Sequence, residues 1–381
     1  METLRALIRG DLSPAGNKIS LQQQPQVFGY DIQGYQSTWV DSGTSALALA
    51  LSDVKAKAGN VAHPKVIVPG YCCPDLISAA VYAGVQPLVV DISVDDAGYD
   101  LDALESAIND KSVIAIVAIN FLGVKERLTE IKKLTVNTRI KIIEDNAQWF
   151  PASKSEHRFL GDYLLFSFGR GKPLSLLGGG VLFAKETLVV ADKIINQLTP
   201  TSIIQTLKVN AYNLLLHPHL YCYLNRAPFL HLGETHYHQH QEISAIGELQ
   251  KDIFAANLVR YEQRGDSCSV EFDKLFSRHN VQSLDSINSE RRTRFLRYPL
   301  LCNTSSQRDE LLREFNEQGL GASPLYQHSL VEIPRVSDLV EVVGDLENSR
   351  QFARRLLTLP THEKVVSSHL FRIEKVLNSY Y

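Results

Sequence analysis

The sequence predicts an α/β protein of three layers, in which helices cover a large, mixed and mostly parallel sheet and a smaller α+β domain closes the chain. The first observation is that short apolar segments alternate with helix-like segments between about residues 40 and 190. These segments are rich in β-branched residues and lack a polar face, as in strands buried on both sides. The second is the length of 381 residues, which is enough for two or three domains. We predict a large domain over 1–245 and a small α+β domain over 246–381.

Six strands of the large domain are predicted from the apolar segments. They lie at 66–68, 87–92, 112–119, 140–143, 163–168 and 180–184. Between them, helices are predicted at 44–58, 74–83 and 101–108. Pro74 in a first turn and Gly84 after a last turn are typical of the two ends of a helix, and Asp100 is a suitable N-cap.

The segment from about 200 to 235 is apolar and aromatic, but polar residues interrupt it. We interpret it as an insertion in the large domain that forms a buried or interface helix. A helix on a membrane surface is the weaker alternative, because the segment lacks a polar face rich in lysine and arginine. After residue 246 the pattern predicts a long helix, a strand at 295–302, a helix at 308–318 and a last amphipathic helix that includes Leu370 and Leu377.

The composition is that of a globular protein without a bias toward nucleic acid. The chain has 39 lysines and arginines against 42 aspartates and glutamates, a formal net charge of −3. Nucleic-acid binders usually carry a basic excess, so no nucleic-acid partner is expected. The five cysteines contain no CxxC motif, which is typical of a reducing compartment. The first residues lack the apolar core of a signal peptide and no apolar run could span a bilayer. We therefore expect a cytoplasmic protein with no integral membrane segment.

The start of the first predicted helix is a candidate anion site. It reads Ser42-Gly43-Thr44-Ser45-Ala46. Small residues let a ligand approach the backbone, and the free N–H groups and helix dipole favour an anion such as phosphate. Serine and threonine at a helix start are also ordinary caps, so this segment alone leaves both interpretations open.

Two further candidate segments follow predicted strands. EDNAQ at 144–148 places Asp145 at the tip of a buried strand, where a carboxylate is costly unless a cation meets it. The alternative is an aspartate that caps the next helix. SFGRGK at 167–172 places Lys172 in a glycine-rich turn, where it could bind phosphate or act as a nucleophile. The turn is not a P-loop, because Pro173 follows the lysine, and the alternative is a solvated surface lysine.

A fourth segment, PGYCCP at 69–74, links a strand to a helix. The ring of Tyr71 or the thiols of Cys72 and Cys73 could face a planar ligand. Burial of the cysteines as small apolar side chains is the interpretation we favour. No GxGxxG motif follows the first strand, which argues against a Rossmann dinucleotide enzyme.

Taken together and in this order, the four segments resemble the DegT/DnrJ/StrS family. The resemblance is carried by SGTSAL, VIVPGYCCPDLISAAVYAGVQPLVVDI, EDNAQ, SFGRGK followed by GGG, DLDALESAI, AINFLG and LLTLPTHEKV. It covers nearly the whole chain apart from about 195 to 245. The family consists of pyridoxal phosphate (PLP) enzymes of the aspartate-aminotransferase fold, type I, that act mostly in amino-sugar biosynthesis. The resemblance therefore implies a large PLP-binding domain and a homodimer with shared active sites.

The resemblance also implies a role for each matching residue. Lys172 matches the lysine that forms the Schiff base with PLP, and Asp145 matches the carboxylate facing the pyridine nitrogen. Gln148 matches a residue beside the ring, near the cofactor's hydroxyl. Phosphate contacts match Ser167 and the helix start Gly43, Thr44 and Ser45. A branch of the family that removes hydroxyl groups has histidine at the position of Lys172, so the lysine favours amino transfer.

We therefore predict a PLP-dependent aminotransferase that moves an amino group from glutamate or glutamine to a keto sugar, nucleotide-linked, in amino-sugar, polysaccharide or secondary-metabolite biosynthesis. A keto-cyclitol or another ketone is the alternative acceptor. A non-catalytic regulatory protein on the same fold is the second alternative, which the joint presence of Lys172, Asp145, Gln148 and Ser167 argues against. The chain departs from the family at Cys73, where many members stack an aromatic ring on PLP. It also departs at 235–240, where many carry an Asn-Tyr-Arg-like stretch that reaches the neighbouring subunit's phosphate.

Two clusters of polar residues invite other interpretations. Histidines lie at 217, 219, 231, 236, 238 and 240, but we predict no metal and favour solvated or substrate-facing rings. Arginines lie at 291, 292, 294 and 297, where a nucleotide pyrophosphate or a simple exposed charged edge would explain them equally well.

Overall fold

An eight-stranded sheet is the frame of the molecule. The computed structural model describes residues 10–14, 16–152, 158–195, 202–225, 235–279, 284 and 294–380. In chain order the strands are β1 (Gln36–Val40), β2 (Lys65–Pro69), β3 (Gln86–Val90), β4 (Val113–Ile119), β5 (Lys141–Asp145), β6 (Tyr163–Ser167), β7 (Gly180–Ala184), β8 (Ile194–Ile195), β9 (Ile243–Ser244), β10 (Arg297–Leu301), β11 (Glu341–Val342) and β12 (Leu356–Pro360). The large sheet has the order β1-β7-β6-β5-β4-β2-β3-β11, and within it β7 alone runs antiparallel to its neighbours.

Helices lie on both faces of this sheet and around a second, smaller one. They are α1 (Gly43–Ala58), α2 (Asp75–Ala83), α3 (Leu101–Ile108), α4 (Leu128–Thr135), α5 (Ser202–Leu215), α6 (Pro218–Asn225), α7 (Glu248–Gln263), α8 (Ser267–Arg278), α9 (Ser305–Glu317), α10 (Glu347–Arg355) and α11 (Ser367–Tyr380). The six predicted strands and the predicted helices are confirmed. The sequence did not predict β1, β11, β12 or the short strands β8 and β9.

The three layers follow from the alternation of side chains along each buried strand. In β4 every residue is buried. Ala115 and Val117 belong to the apolar cluster that includes α1 and α2, whereas Ile116 and Ala118 belong to the cluster that includes α3 and α4. Because successive side chains point to opposite faces, a strand between two helical layers must be apolar at every position. The predicted three-layer α/β fold is confirmed.

The other end of the sheet is covered by α7, and the small sheet has a core of its own. Leu249 and Phe254 of α7 pack in one cluster with Phe166 of β6 and Phe183 of β7. Strands β10 and β12 pair antiparallel, and their apolar residues cluster with α8, α9 and α11. This second cluster matches the α+β character predicted for the C-terminal part.

The predicted division at residue 245 stays a proposal. Two elements beyond it contribute to the large sheet, since α7 packs on β6 and β7 and β11 pairs with β3. The helices α8, α9 and α11 surround the small sheet, as the division expects. A small unit over 246–381 would therefore include segments that cover the large sheet.

The described part of the predicted apolar insertion forms the helices α5 and α6, and residues 226–234 lie outside the described ranges. Val209 and Leu216 are buried, and Asn213 exchanges two hydrogen bonds of 2.8 Å with the backbone of Ile19. The opposite face is exposed, with 70% of Ile203 and 62% of Leu207 accessible to solvent. No helix among the described residues is long and apolar enough to cross a membrane.

Candidate active site

A cavity opens where several parallel strands of the large sheet end. Including the solvent at its mouth it encloses about 560 Å³, a size suited to a small ligand. Its wall contains the last residues of β4, β5 and β6, as expected for a ligand site in an open α/β sheet. The lining residues are Gly43, Thr44, Leu47, Cys72, Cys73, Asp75, Leu76, Ile119, Phe121, Asp145, Ala147, Gln148, Leu165, Ser167, Lys172 and Tyr326. The four segments singled out from the sequence therefore meet in one place.

Asp145 is the last residue of β5, and its carboxyl group is buried at the cavity wall. The backbone N–H of Ala147 donates to Asp145 Oδ1 at 2.8 Å, which fixes the direction of the carboxyl group. Burial raises the pKa of the Asp145 carboxyl, while the Ala147 N–H and the positive charge of Lys172 lower it. A cationic ligand atom beside this carboxylate would remove the cost of burying its charge.

The start of α1 forms a second part of the wall. Ser42 Oγ accepts from the N–H of Ser45 at 3.0 Å, which caps the helix. The N–H groups of Gly43 and Thr44 have no acceptor among the described residues. Two free N–H groups at the positive end of a helix dipole are suited to an anion such as phosphate.

Close packing explains the glycines at this helix start. A Cβ on Gly43 would lie 2.7 Å from Ser167 Cβ, and one on Gly180 would lie 2.3 Å from Ser42 O. The start of α1 therefore rests directly on the ends of β6 and β7, and Ser167 is brought beside Gly43.

Ser45 occupies a different position from the one predicted. It is fully buried and does not line the cavity. Its hydroxyl lies 3.0 Å from Ser42 Oγ and 3.4 Å from His240 Nε2. The structure gives Ser45 a role in capping α1, and its position offers no support for the predicted cofactor contact.

Lys172 reaches the cavity from the tight turn after β6. Its backbone N–H donates to Gly169 O at 3.3 Å, and Gly171 has a positive φ of 75°. The chain then returns to the sheet, where Phe168 N–H donates to Gly179 O at 2.8 Å. These contacts hold the turn against the end of the sheet, so the lysine is a residue of the cavity wall rather than of a solvated loop.

The two adjacent cysteines both line the cavity, whereas Tyr71 lies behind it in the core. Burial, followed by the carboxylate of Asp75, raises the pKa of Cys73 to about 12, so this side chain is a neutral thiol. Cys72 Sγ donates to Pro69 O at 3.3 Å. The wall therefore has a small side chain at the position where many members of the resembling family carry an aromatic ring.

Gln148 and Tyr326 complete the wall on the side of the C-terminal half. Gln148 Oε1 accepts from Leu122 N–H at 2.9 Å, and Gln148 Nε2 donates to Tyr326 Oη at 3.0 Å. The sequence predicted Gln148 but not Tyr326, because the two are separated by 178 positions and Tyr326 lies in no recognisable motif.

The histidine-rich segment 235–240 lies against the large domain. His240 approaches Ser45, and His238 O accepts from Ser78 Oγ at 2.5 Å. Burial lowers the pKa of His240, which favours its neutral form. Over the described ranges no group of three or more histidine, cysteine, aspartate or glutamate side chains could hold a metal ion. His231 lies outside those ranges.

The arginine cluster does not form an exposed charged edge at the two positions that the structure describes. Arg297 is 2% exposed, and its guanidinium donates to Gly321 O and to Thr358 O, both at 3.0 Å. Arg294 is half-buried and donates to Tyr261 O at 2.6 Å. Both side chains stabilise the C-terminal part, which leaves the predicted pyrophosphate contact without support. Arg291 and Arg292 lie outside the described residues.

Comparison with known proteins finds aminotransferases among the proteins of similar sequence. An L-glutamine:2-deoxy-scyllo-inosose aminotransferase of Streptomyces kanamyceticus is 31% identical over 150 residues, 39% of this chain and 34% of the relative. A UDP-2-acetamido-2-deoxy-3-oxo-D-glucuronate aminotransferase of Pseudomonas aeruginosa is 29% identical over 148 residues, 38% of this chain and 40% of the relative. These matches span between a third and two fifths of the length of the curated relatives.

The fold is shared along almost the full length with solved structures. The structure of an E. coli GDP-4-keto-6-deoxy-D-mannose-3-dehydratase with bound hydrated PLP superimposes with a TM-score of 0.70 at 14% identity, covering 97% of this chain and 99% of that one. The sequence profile of the DegT/DnrJ/EryC1/StrS aminotransferase family matches residues 31–201 and 253–378, which leaves out the helices α5 and α6. The chain therefore belongs to the DegT/DnrJ/EryC1/StrS aminotransferase family.

Proposed function

We propose that the chain is a PLP-dependent aminotransferase that transfers an amino group from glutamate or glutamine to a keto sugar carried by a nucleotide. One observation carries the proposal: a single cavity holds the amine of Lys172, the buried carboxylate of Asp145 and a helix N-terminus. Two N–H groups of that helix start have no acceptor in the part of the chain that the structure describes. The amine, the carboxylate and the helix start are the three groups that PLP needs for its aldehyde, its pyridine nitrogen and its phosphate.

The residues of the cavity fit this cofactor. A buried carboxylate is suited to a protonated ring nitrogen, because the cation offsets the cost of its burial. The unfilled N–H groups of Gly43 and Thr44, with the Ser167 hydroxyl beside them, are suited to phosphate. Cys73 and Ala147 are small side chains that leave room for a flat ring. When bound, PLP would supply an electron sink and a carrier for the amino group.

Each residue of the chain then has a definite task. Lys172 Nζ would hold the aldehyde of the cofactor, and as a free amine it would be the base that moves a proton at the Cα of the amino acid. Asp145 would keep the pyridine nitrogen protonated through its negative charge. Gln148 fixes the side of the cavity that faces the C-terminal half, since both ends of its amide are hydrogen bonded.

The choice of amino transfer over removal of a hydroxyl group rests on Lys172. Family members that remove hydroxyl groups have histidine at this position, and this chain has lysine. The names of the relatives from Pseudomonas and Streptomyces support an oxidised sugar or a cyclitol ketone as acceptor. A keto-cyclitol or another ketone is therefore the alternative acceptor, and biosynthesis of an amino sugar, polysaccharide or secondary metabolite is the proposed context.

We also propose a homodimer with shared active sites. Among the described residues, the charged side chains of the cavity wall are two aspartates and one lysine. A second copy would supply the further positive charge that a phosphate dianion requires. The exposed apolar face of α5 around Leu207 and Leu214 supports burial against another chain. Light scattering of the protein with added PLP measures its molar mass in solution, which distinguishes a dimer from a monomer.

A cytoplasmic location belongs to the same proposal. The five cysteines all lie within the described residues and are not joined in disulfides, as is usual in a reducing compartment. Fractionation of cells that produce the protein tests the location directly.

The experiment that tests the function is an absorbance spectrum of the purified protein with PLP, before and after addition of L-glutamate or L-glutamine. We expect a yellow band that bleaches with the amino donor as pyridoxamine phosphate forms. Lys172→Ala should lack the band of lysine-bound PLP and lose about a thousandfold or more in rate. Lys185→Ala is the matched control, since Lys185 lies outside the cavity and donates to Leu160 O.

A protein that takes up no PLP would contradict the proposal and favour the regulatory protein instead. If the absorbance band were lost in Lys185→Ala but kept in Lys172→Ala, Lys172 would not be the lysine that binds PLP.

A further inference from the structure

Tyr326 brings a hydrogen-bond donor into the cavity. The N–H of Leu122 can only donate, so the oxygen that accepts from it must be Gln148 Oε1, and Gln148 Nε2 is left to donate to Tyr326 Oη. The Tyr326 oxygen is thus an acceptor in this pair, and its own O–H proton has no acceptor among the described residues. Because Tyr326 lines the cavity, this O–H group is available to a bound ligand.

The segment that carries Tyr326 is held firmly from behind. The buried hydroxyl of Tyr71 donates to Tyr326 O at 3.0 Å and accepts from Tyr326 N–H at 3.3 Å. Leu325 has a positive φ of 64°, which is disfavoured for a branched side chain, and its N–H donates to Ser323 Oγ at 3.0 Å. Backbone strain held in place by surrounding contacts is typical of residues that present a group to a ligand.

A chain of hydrogen bonds connects this segment to the small sheet. Thr358 of β12 exchanges backbone hydrogen bonds of 2.8 and 3.0 Å with Ser323. The buried guanidinium of Arg297 on β10 donates to Thr358 Oγ1 at 2.7 Å and to Gly321 O at 3.0 Å. The position of Tyr326 in the cavity is therefore set by the core of the C-terminal part.

The hydroxyl of Tyr326 stays protonated in this environment. Burial raises the pKa of Tyr326 well above its ordinary value, and the neighbouring Cys73 thiol acts in the same direction. A protonated phenol between an amide donor and a ligand can only point its proton at an oxygen or nitrogen acceptor.

We propose that Tyr326 is a further binding residue of this site, which donates a hydrogen bond to an oxygen of PLP or of the amino acid that reacts with it. The inference rests on the proposed function, because it needs PLP in the cavity. Both possible ligands offer an oxygen that carries negative charge. In PLP it is the oxygen on the ring, and in the amino acid it is the carboxylate.

The test compares wild type with Tyr326→Phe, which keeps the ring and removes only the hydroxyl. Tyr99→Phe is the matched control: the hydroxyl of Tyr99 is buried in the large domain and donates to Val117 O at 2.7 Å, away from the cavity wall. Three readouts are needed, namely the dissociation constant of PLP, the pH dependence of the absorbance of bound PLP, and the L-glutamate concentration that half-saturates the first half-reaction. Thermal unfolding without PLP establishes that each variant is folded.

If the acceptor is the ring oxygen of PLP, Tyr326→Phe will bind PLP about five- to tenfold more weakly and shift the pH midpoint of its absorbance. If the acceptor is the amino acid, PLP binding will be unchanged, and the half-saturating L-glutamate concentration will rise by about the same factor at an unchanged limiting rate. In Tyr99→Phe, the PLP affinity, the pH midpoint and the half-saturating L-glutamate concentration should all equal those of wild type. A folded Tyr326→Phe that equals wild type in all three readouts would overturn the inference while the proposed function stands. Wild type that binds no PLP would overturn both.

Discussion

At the scale of single residues, Asp145 shows how a strand end can hold a charge. Its carboxyl group is buried and accepts from the backbone N–H of Ala147, and the charge of Lys172 lies nearby. A buried carboxylate with so few partners is costly, and burial accordingly raises the pKa of Asp145. The proposed cofactor would supply the missing cation through its ring nitrogen. Asp145 would then be ionised in the complex at neutral pH.

Replacement of that charge gives a sharp prediction. Asp145→Asn keeps the shape of the side chain, so PLP should still bind, but the turnover with L-glutamate should fall about a hundredfold because the ring nitrogen loses its counter-ion. Glu144→Gln is the control, since Glu144 lies next along β5 and accepts from the N–H groups of Leu160 and Gly161, outside the cavity. Single-turnover absorbance measures the rate in each variant. Equal rates in Asp145→Asn and wild type would contradict the role of the carboxylate.

The residues of the cavity differ in how well the sequence predicts them. Asp145 ends the buried strand β5, and Lys172 lies in the turn that follows the buried strand β6. The ends of parallel strands meet at one edge of a sheet, so a local pattern was enough. Tyr326 enters the cavity from a segment whose position depends on Tyr71 and on the small sheet. Its role depends on contacts between parts that are distant in the chain, and a pattern of neighbouring residues contains no trace of such contacts.

At the scale of elements, strands are predictable when both faces are buried. The residues of β4 are all apolar because helices cover both sides, and the pattern is unmistakable. Strand β1 reads QSTWV with its first two residues exposed, and β11 has two exposed residues. Edge strands such as these need no continuous apolar run, so their sequences resemble loops. The same reasoning explains why the sheet core was predicted and both of its edge strands were missed.

The first turn of α1 is the element on which phosphate binding would depend. Ser42→Ala removes the cap on Ser45 N–H and should lower the free energy of unfolding by about 1 kcal/mol. The turn would also lose its fixed direction, so PLP should bind several-fold more weakly. Thr304→Ala is a matched control, because Thr304 caps α9 by accepting from Gln307 N–H at 3.1 Å, far along the chain in the C-terminal part.

Urea unfolding and PLP titration of the two cap variants separate stability from binding. We expect similar losses of stability and a loss of PLP affinity in Ser42→Ala alone. A similar drop in affinity in both variants would mean that weakened binding reports general destabilisation. The first turn of α1 would then have no special part in holding the phosphate.

At the scale of the whole molecule, the two ends of the described chain are joined. Leu12 N–H donates to Gly319 O at 2.9 Å, and Asp11 N–H donates to Pro218 O at 3.0 Å. The buried ring of His362 donates from Nε2 to Ser13 O at 2.9 Å. The N-terminal segment therefore connects α6 with the C-terminal part. No local sequence pattern predicted these contacts, because each joins residues that are hundreds of positions or several elements apart.

His362 gives this junction a pH dependence. Ser13 O can only accept, so Nε2 carries the proton, and Nδ1 is left to accept from Lys364 N–H at 3.3 Å. The bond to Ser13 O survives protonation of the ring, but the bond at Nδ1 needs the neutral ring. Burial lowers the pKa of His362 to about 4. In the unfolded chain the pKa is about 6.5, so the unfolded state binds more protons between these two values. Stability is then fully present above about pH 6.5 and is lost as the pH falls toward 4.

The expected loss from this one group is about 3 kcal/mol between pH 7 and pH 4, as the difference of the two pKa values gives. His362→Gln cannot take up a proton, so its free energy of unfolding should change less over the same range, even if it is less stable at pH 7. His217→Gln is the control, because His217 is exposed at the end of α5. Urea unfolding at several pH values measures all three proteins at fixed PLP concentration. If His362→Gln and wild type lost the same stability between pH 7 and pH 4, other titrating groups, such as carboxyl groups, would account for the whole change. His362 would then have no part in the acid sensitivity.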